Sequence, residues 1–189
     1  MDRRMKNVLI LCDAFPPAFN PRMGYLCKYL PEFGWNPIII TEYSPQLIFT
    51  DLAVGKNVRY INFYWSKNKF YRALKYTFVF FADLLFNYKA IIVKKEALKT
   101  IKKYPVDLIL SSSSCRTYSA LVAQKIAKKQ AIPFVMDLRD IVEQFPSNEH
   151  ISKTFTGSSL LNRFIAAIIT RKYLRQRNKI IGKAATVTT

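Results

Sequence analysis

Glycine is scarce in this chain of 189 residues. There are five, with no Gly-x-Gly-x-x-Gly after the first apolar run and no P-loop arrangement, which argues against a dinucleotide or P-loop nucleotide site. Histidine occurs once, at His150, so no Ser/His/Asp or Cys/His nucleophile set assembles around it. The three cysteines, Cys12, Cys27 and Cys115, share no metal-ligand spacing and read as reduced cysteines of a cytosolic protein. No Asp-x-Asp occurs, so a divalent metal holding a nucleotide diphosphate is not expected, nor is a bound cofactor. No apolar run reaches the roughly 18 residues needed to cross a bilayer, and the opening MDRRMKN lacks the apolar segment of a signal peptide. A cytoplasmic protein is expected, free or peripheral on the inner face of the plasma membrane.

Acid is the other shortage. Twelve Asp and Glu face 30 Lys and Arg, a net charge of +18 with pI near 10.0. The excess is concentrated. Lys67 to Lys103 holds ten basic residues against Asp83 and Glu96, and Arg163 to Lys183 holds seven with no acid. Charge gathered in this way points to an anionic partner: membrane lipid, a phosphorylated substrate or nucleic acid. Hydrophobic residues make up 50% and charged residues 22%, which places the chain among globular domains.

What is present is an alternation of short apolar runs and helical periods. Val8 to Cys12 has the length and continuity of a strand covered on both faces. Asn20 offers a helix cap, with Pro21 at the first helical position, and Gly34 closes that helix. Pro37 to Ile40 reads as a second strand, which completes a βαβ unit. Further strands are expected at Val58 to Phe63, Val106 to Leu110, Phe134 to Asp137 and Ala184 to Thr188. Helical periods cover Lys67 to Tyr104, with a bend near Asn87, then Tyr118 to Ile126, and the region from Ser158 onward. In the long helical stretch Phe70, Leu74, Phe78, Phe81 and Leu85 form one stripe; one face of the stretch is expected to enter the core, and Phe78 and Phe81 to face the core or a membrane. The fold class is therefore α/β: a Rossmann-like doubly wound parallel sheet in three α/β/α layers.

In such sheets ligands bind outside the carboxyl ends of the strands. Three loops converge there: Asp13 to Asn20, Ser111 to Thr117 and Asp137 to Phe145. They supply Asp13, Asn20, Arg22, Ser112, Ser113, Ser114, Arg116, Asp137, Arg139, Asp140 and Glu143. Serines opening a helix either cap it or hold a phosphate or sugar hydroxyl on its free N–H groups. Asp137-Leu138-Arg139-Asp140 either fixes its loop as a structural ion pair or orients a substrate.

Several motifs together resemble one family. Phe15-Pro16-Pro17, Arg22, Leu30-Pro31, Gly34-Trp35 and the strand ending at Thr41 look like the opening of GT-B glycosyltransferases of the family 4 type. VDLILSSSS, IPFVMDLRD and the final AATVTT are similar to later segments of the same N-terminal domain, in the same order. The resemblance implies one half of a GT-B architecture, in which an N-terminal half receives the acceptor and a C-terminal half grips a nucleotide sugar. Residues 1–189 would be the single acceptor-side domain, with the donor-binding domain outside this chain. The implied activity of the longer protein is sugar transfer from a nucleotide-sugar donor to a membrane-associated glycan or lipid-linked acceptor. By resemblance the transfer is retaining and metal-independent, within polysaccharide biosynthesis. Alone, the fragment is expected to be close to inactive, since transfer needs both substrates held together.

Carried over residue by residue, Arg22, Arg139 and Asp140 match motif positions lining the cleft. The family's Gly-Gly in the first loop is Ala18-Phe19-Asn20-Pro21 here, so the backbone from Asn20 to Gly24 would take that part. The histidine many relatives carry beyond the fourth strand is replaced by serines, Cys115 and Arg116, and no catalytic side chain is assigned.

The basic segments fit an anionic membrane surface, with Lys67, Lys69, Arg72, Lys75, Arg171, Lys172 and Arg175 as contacts. The alternative is a solvated basic face over a buried aromatic core. Two other functional classes stand beside the transferase. A nucleic-acid-binding module would need base-stacking aromatics on an open surface, and a non-catalytic scaffold would use the fold without its loops.

Overall fold

The computed structural model of the chain describes residues 4–53, 57–113, 117–138 and 160–188, with the side chains of the last segment described from 167. Six strands form one parallel sheet: β1 (Lys6–Cys12), β2 (Trp35–Glu42), β3 (Val58–Ile61), β4 (Leu108–Ser113), β5 (Phe134–Leu138) and β6 (Thr186–Thr188). Their order is β3-β2-β1-β4-β5-β6. Chain direction across the sheet reverses between β1 and β4, the switch point at which doubly wound sheets open a crevice.

Alternation along the strands divides the core in two. Leu9, Leu11, Ile38, Ile40 and Ile109 pack toward helices α3 (Tyr88–Lys103), α4 (Tyr118–Gln130) and α5 (Leu160–Ile181). Val8, Ile10, Cys12, Ile39 and Leu110 face α1 (Pro21–Tyr29), meeting Met23 and Cys27. The result is a three-layer, Rossmann-like α/β domain. Each fully buried Leu or Ile contributes about 1.5–3 kcal/mol, so these strand residues hold the sheet between its helices.

Asn20 caps α1, its Oδ1 accepting from the Met23 N–H at 3.3 Å, with Pro21 opening the helix. A 3-10 turn, Leu30–Phe33, extends the helix to Gly34, whose φ of +75° is the left-handed conformation that glycine adopts without strain.

The structure changes several expectations. Ser111, Ser112 and Ser113 belong to β4 and are fully buried, so they are strand residues and do not open a helix. The bend expected near Asn87 is there: the long helical stretch is two helices, α2 (Lys69–Phe86) and α3, turned by 85° at Asn87, which adopts a left-handed φ of +53°. The Asp83 carboxylate accepts from the Lys89 N–H at 2.9 Å and so caps the new helix. The structure also decides between core and surface for the stripe Phe70, Leu74, Phe78, Phe81 and Leu85. The stripe lies outside the core, and α2 buries only Val79 and Asp83.

Candidate functional site

Two clefts are placed among the described residues, one at the carboxyl edge of the sheet and one along its α1 face. The first, about 660 Å³, lies where β1, β2 and β3 end against α2, and is lined by Asp13, Phe19, Glu42, Tyr43, Tyr64, Trp65, Lys69, Arg72 and Tyr76 among others. Its aromatic wall is fixed by polar bonds. The Trp65 indole N–H donates to the Tyr43 hydroxyl at 3.1 Å, and Asn62 accepts from the Trp65 N–H at 2.8 Å. The Arg72 guanidinium lies 5.4 Å from the Trp65 ring centre, and the Tyr64 and Tyr76 rings are 5.4 Å apart. On the opposite side Phe19 leans on Phe49, and the Tyr60 hydroxyl donates to the Pro16 carbonyl at 2.7 Å.

Behind the lining residue Glu42 lies a buried ion pair. Lys89 of α3 and Glu42 at the end of β2 are both at least nine-tenths buried, with Nζ 2.7 Å from Oε2. Lys89 also donates to the Tyr64 hydroxyl, and the Tyr118 hydroxyl donates to Glu42 at 3.3 Å. The ammonium lies 4.5–5.3 Å from the ring centres of Phe63, Tyr64 and Tyr118. A buried cation held by one carboxylate and three rings has its charge balanced locally, which fixes the Glu42 carboxylate in the pocket's lining.

The second cleft, about 580 Å³, runs along the α1 face of the sheet between Arg22, Leu26, Leu30 and Trp35 on one side and Leu108, Leu110, Val135, Asp137 and Thr188 on the other. Asp137, buried, is its polar centre. The Ser112 hydroxyl donates to it at 2.9 Å, the Thr188 hydroxyl at 3.1 Å, and the half-exposed Arg22 guanidinium sits 2.8 Å away. Pairing of Cys12 with Ser112, Ser112 with Asp137, and Asp137 with Thr188 puts these side chains in one row across the sheet. Asp137 therefore ties β4, β5, β6 and α1 together at one rim.

The residues singled out from sequence divide among these places. Asp13 lines the aromatic pocket. Arg22 and Ser112 meet at Asp137, and the ion pair seen there uses Arg22. Ser113 is buried within β4. Asn20 is a correction: it is fully buried, its Nδ2 donating to the Ala14 carbonyl at 2.7 Å while its Oδ1 caps α1, so it braces the first loop from within.

Gly24 is another correction. A Cβ there would stand 2.7 Å from Pro16 Cγ and 2.9 Å from Leu52 Cβ, so the glycine permits close packing of α1. Its N–H bonds to the Asn20 carbonyl and Met23's to the Asn20 side chain, while Pro21 has none. The first turn of α1 thus has little left for a phosphate. Ser114, Arg116, Arg139, Asp140 and Glu143 lie outside the described residues, as do Cys115 and His150.

Of the expected membrane contacts, Lys67, Lys69, Arg72, Lys75, Arg171 and Arg175 are exposed, with Lys69 and Arg72 also lining the aromatic pocket. Lys172 differs. Its Nζ donates to the Asp83 and Leu84 carbonyls at 2.8 and 2.7 Å, closing the end of α2. Burial pulls its ammonium below the usual lysine range, with Asp83 acting in the opposite sense. Cys27, buried against the sheet, has its thiol pushed up to about 12, so it is a core side chain and no nucleophile. Among the described residues no group of three or more His, Cys, Asp or Glu side chains could hold a metal ion.

Sequence reading missed Glu42, Tyr43, Tyr64, Trp65, Tyr76 and Lys89. The carboxyl-edge rule applied to the second strand leads directly to Glu42. Lys89 falls on the same helical face as Val93 and Ala97, a spacing of four that marks it for burial.

No family model matches the sequence, and no curated protein matches it. Solved structures do show likeness. The spinosyn rhamnosyltransferase SpnG complexed with thymidine diphosphate aligns at 16% identity over 70% of this chain and 34% of its own, with a TM-score of 0.44. The UDP-GlcNAc 2-epimerase of Methanocaldococcus jannaschii aligns at 14% identity over 95% of this chain and 45% of its own, with a TM-score of 0.43. The glycosyltransferase SnogD from Streptomyces nogalater aligns at 15% identity over 98% of this chain and 43% of its own, again with a TM-score of 0.43. The chain thus spans less than half the length of each of these three structures.

Proposed function

We propose that the chain is the acceptor-side half of a GT-B glycosyltransferase, and that the aromatic pocket takes the sugar end of the acceptor. One observation carries the reading: Tyr43, Tyr64, Trp65 and Tyr76 surround a pocket that also holds Asp13, Glu42, Lys69 and Arg72. Aromatic faces cover the C–H faces of a pyranose ring, and carboxylates accept from its hydroxyls. Lys69 and Arg72 favour an acceptor bearing phosphate, as a lipid-linked glycan intermediate does. In the transfer, an acceptor hydroxyl oxygen bonds to the anomeric carbon of a nucleotide sugar. The bond to the nucleoside diphosphate breaks, and the hydroxyl proton leaves to a base. The rim at Asp137, with Arg22 and Ser112, faces the donor. A cytoplasmic site of polysaccharide assembly, with no metal, completes the reading.

Trp65 supplies the test. Titrating the chain with phosphorylated and neutral oligosaccharides should give a saturable change in tryptophan emission, weakened about tenfold in Arg72→Ala for the phosphorylated ligands. No saturable change across the panel would remove the pocket's assignment. Transfer is measured on the protein with any sequence that follows residue 189 included. Product should form together with free nucleoside diphosphate, and no product across a broad donor panel would contradict the proposal.

A further inference from the structure

Helix α2 turns its most apolar surface away from the domain. Phe70, Leu74, Phe78, Phe81 and Leu85 are between 51% and 73% exposed. Their spacing of three and four residues gathers them on one face, opposite the face of Tyr76, Val79 and Asp83 by which the helix is held. Five such side chains present roughly 500 Å² of apolar surface, a size that marks an interaction site. The exposed charges nearest it are of one sign: Lys67 and Lys75 are basic, Lys69 and Arg72 carry the basic surface round to the pocket side, and no acidic residue precedes the buried Asp83 in the helix.

We infer that α2 docks in the plane of an anionic lipid bilayer, with the Phe70–Leu85 stripe in the headgroup and acyl boundary and Lys67 and Lys75 among anionic headgroups. Charge complementarity selects this occupant. Aliphatic Leu74 and Leu85, interleaved with the rings, suit an acyl phase better than stacked bases. Spanning is a poor alternative. No single helix among the described residues is long and apolar enough to cross, and the bent pair α2–α3 includes α3, whose Ala90, Val93 and Ala97 form part of the core. The inner side of α2, through Lys69, Arg72 and Tyr76, also lines the aromatic pocket. Docking therefore sets the pocket beside the headgroups, where a ligand anchored by an acyl chain reaches it laterally. The docking itself does not rest on the sugar-transfer reading, and either can fail while the other stands.

The test is co-sedimentation of the chain with vesicles of phosphatidylcholine alone and of phosphatidylcholine mixed equally with phosphatidylglycerol. Binding is expected to the mixed vesicles, falling with salt. Phe78→Ser with Phe81→Ser should weaken it roughly a hundredfold, about tenfold for each ring withdrawn from the interface. Lys67→Gln with Lys75→Gln should weaken it on the mixed vesicles roughly thirtyfold and leave the neutral vesicles unaffected. If the first pair disturbs the fold by circular dichroism, Phe70→Ser with Leu74→Ser replaces it. Wild-type binding by the serine variants overturns the inference. So does a dimer that the serine variants turn to monomer without any vesicle binding, because the stripe then joins two copies. Single-stranded DNA retained by the wild type and lost with the serine variants, again without vesicle binding, overturns it as well.

Discussion

Helices α2 and α3 are separated by one residue and similar in length, and the more apolar of the two is the one left outside. Of α2, KFYRALKYTFVFFADLLF, only Val79 and Asp83 are buried. Of α3, YKAIIVKKEALKTIKK, the buried positions are Lys89, Ala90, Val93 and Ala97. The inner face of α3 is built of small side chains that let it approach the sheet closely. Its single lysine is accommodated because Glu42 and three aromatic rings meet it. The left-handed Asn87 then turns α2 away by 85°, so that Tyr76 meets Tyr64 and one edge of Phe78 meets Tyr88 while most of the outer stripe stays exposed. Burial here follows the surface available for packing, and hydrophobicity alone does not decide it.

The comparison breaks most visibly at Lys89. Glu42→Ala leaves a buried ammonium without its carboxylate and should cost about 3–5 kcal/mol, read as a fall in the urea midpoint. Lys89→Met with Glu42→Leu removes both charges and should recover most of that loss. If the single change is silent, the α3 pair is not the anchor described.

Adjacent residues of α2 give the next contrast. Val79→Ala removes buried methyl groups and should cost about 2 kcal/mol, whereas Phe78→Ala, on the outer face with only one edge against Tyr88, should cost no more than about 1 kcal/mol. Equal losses at the two positions would mean that the stripe packs against the domain after all. At the junction, Asn87→Val forces a β-branched residue into the left-handed region and should destabilise by about 1–2 kcal/mol, while Asn87→Gly should be milder.

The smallest effect belongs to the outer side of α3. The hydrogen bond from Lys99, opposed by some burial and helped by the charges of Lys99, Arg59 and Lys95, holds the Glu96 carboxyl below its usual range. A depressed folded-state pKa contributes stability that is present above the unfolded value of about 4.5 and is lost as pH falls through the folded value. Because Arg59 and Lys99 are exposed, Glu96→Gln should remove at most about 1 kcal/mol at neutral pH and flatten that acid limb of a melting-temperature profile.

Much of this was legible in the chain. Continuous apolar runs at Val8 and Pro37, the Asn20-Pro21 cap and the Gly34 stop fix the first βαβ unit, because they act locally. The alternation that follows gives the parallel three-layer class. The serines after Leu110 read from sequence as opening a helix, because polar residues in a buried strand are legible only once their partners are known. Ser112 has Asp137 and Ser111 has Ser119, 25 and 8 residues away. The α2 stripe was legible as a stripe, and its direction was not. Periodicity gives the face of a helix, but the 85° turn at Asn87 decides what that face meets. The aromatic pocket draws on four separate segments, so no local pattern announces it.

The outward helix and the inward helix can be followed together by hydrogen–deuterium exchange of the chain, with and without vesicles rich in phosphatidylglycerol. Amides of α2 from Phe70 to Leu85 should exchange more slowly with vesicles present, while those of α3 from Ala90 to Ala97, already held in the core, should not change. Vesicles that bind the protein yet leave α2 exchange untouched would contradict the account.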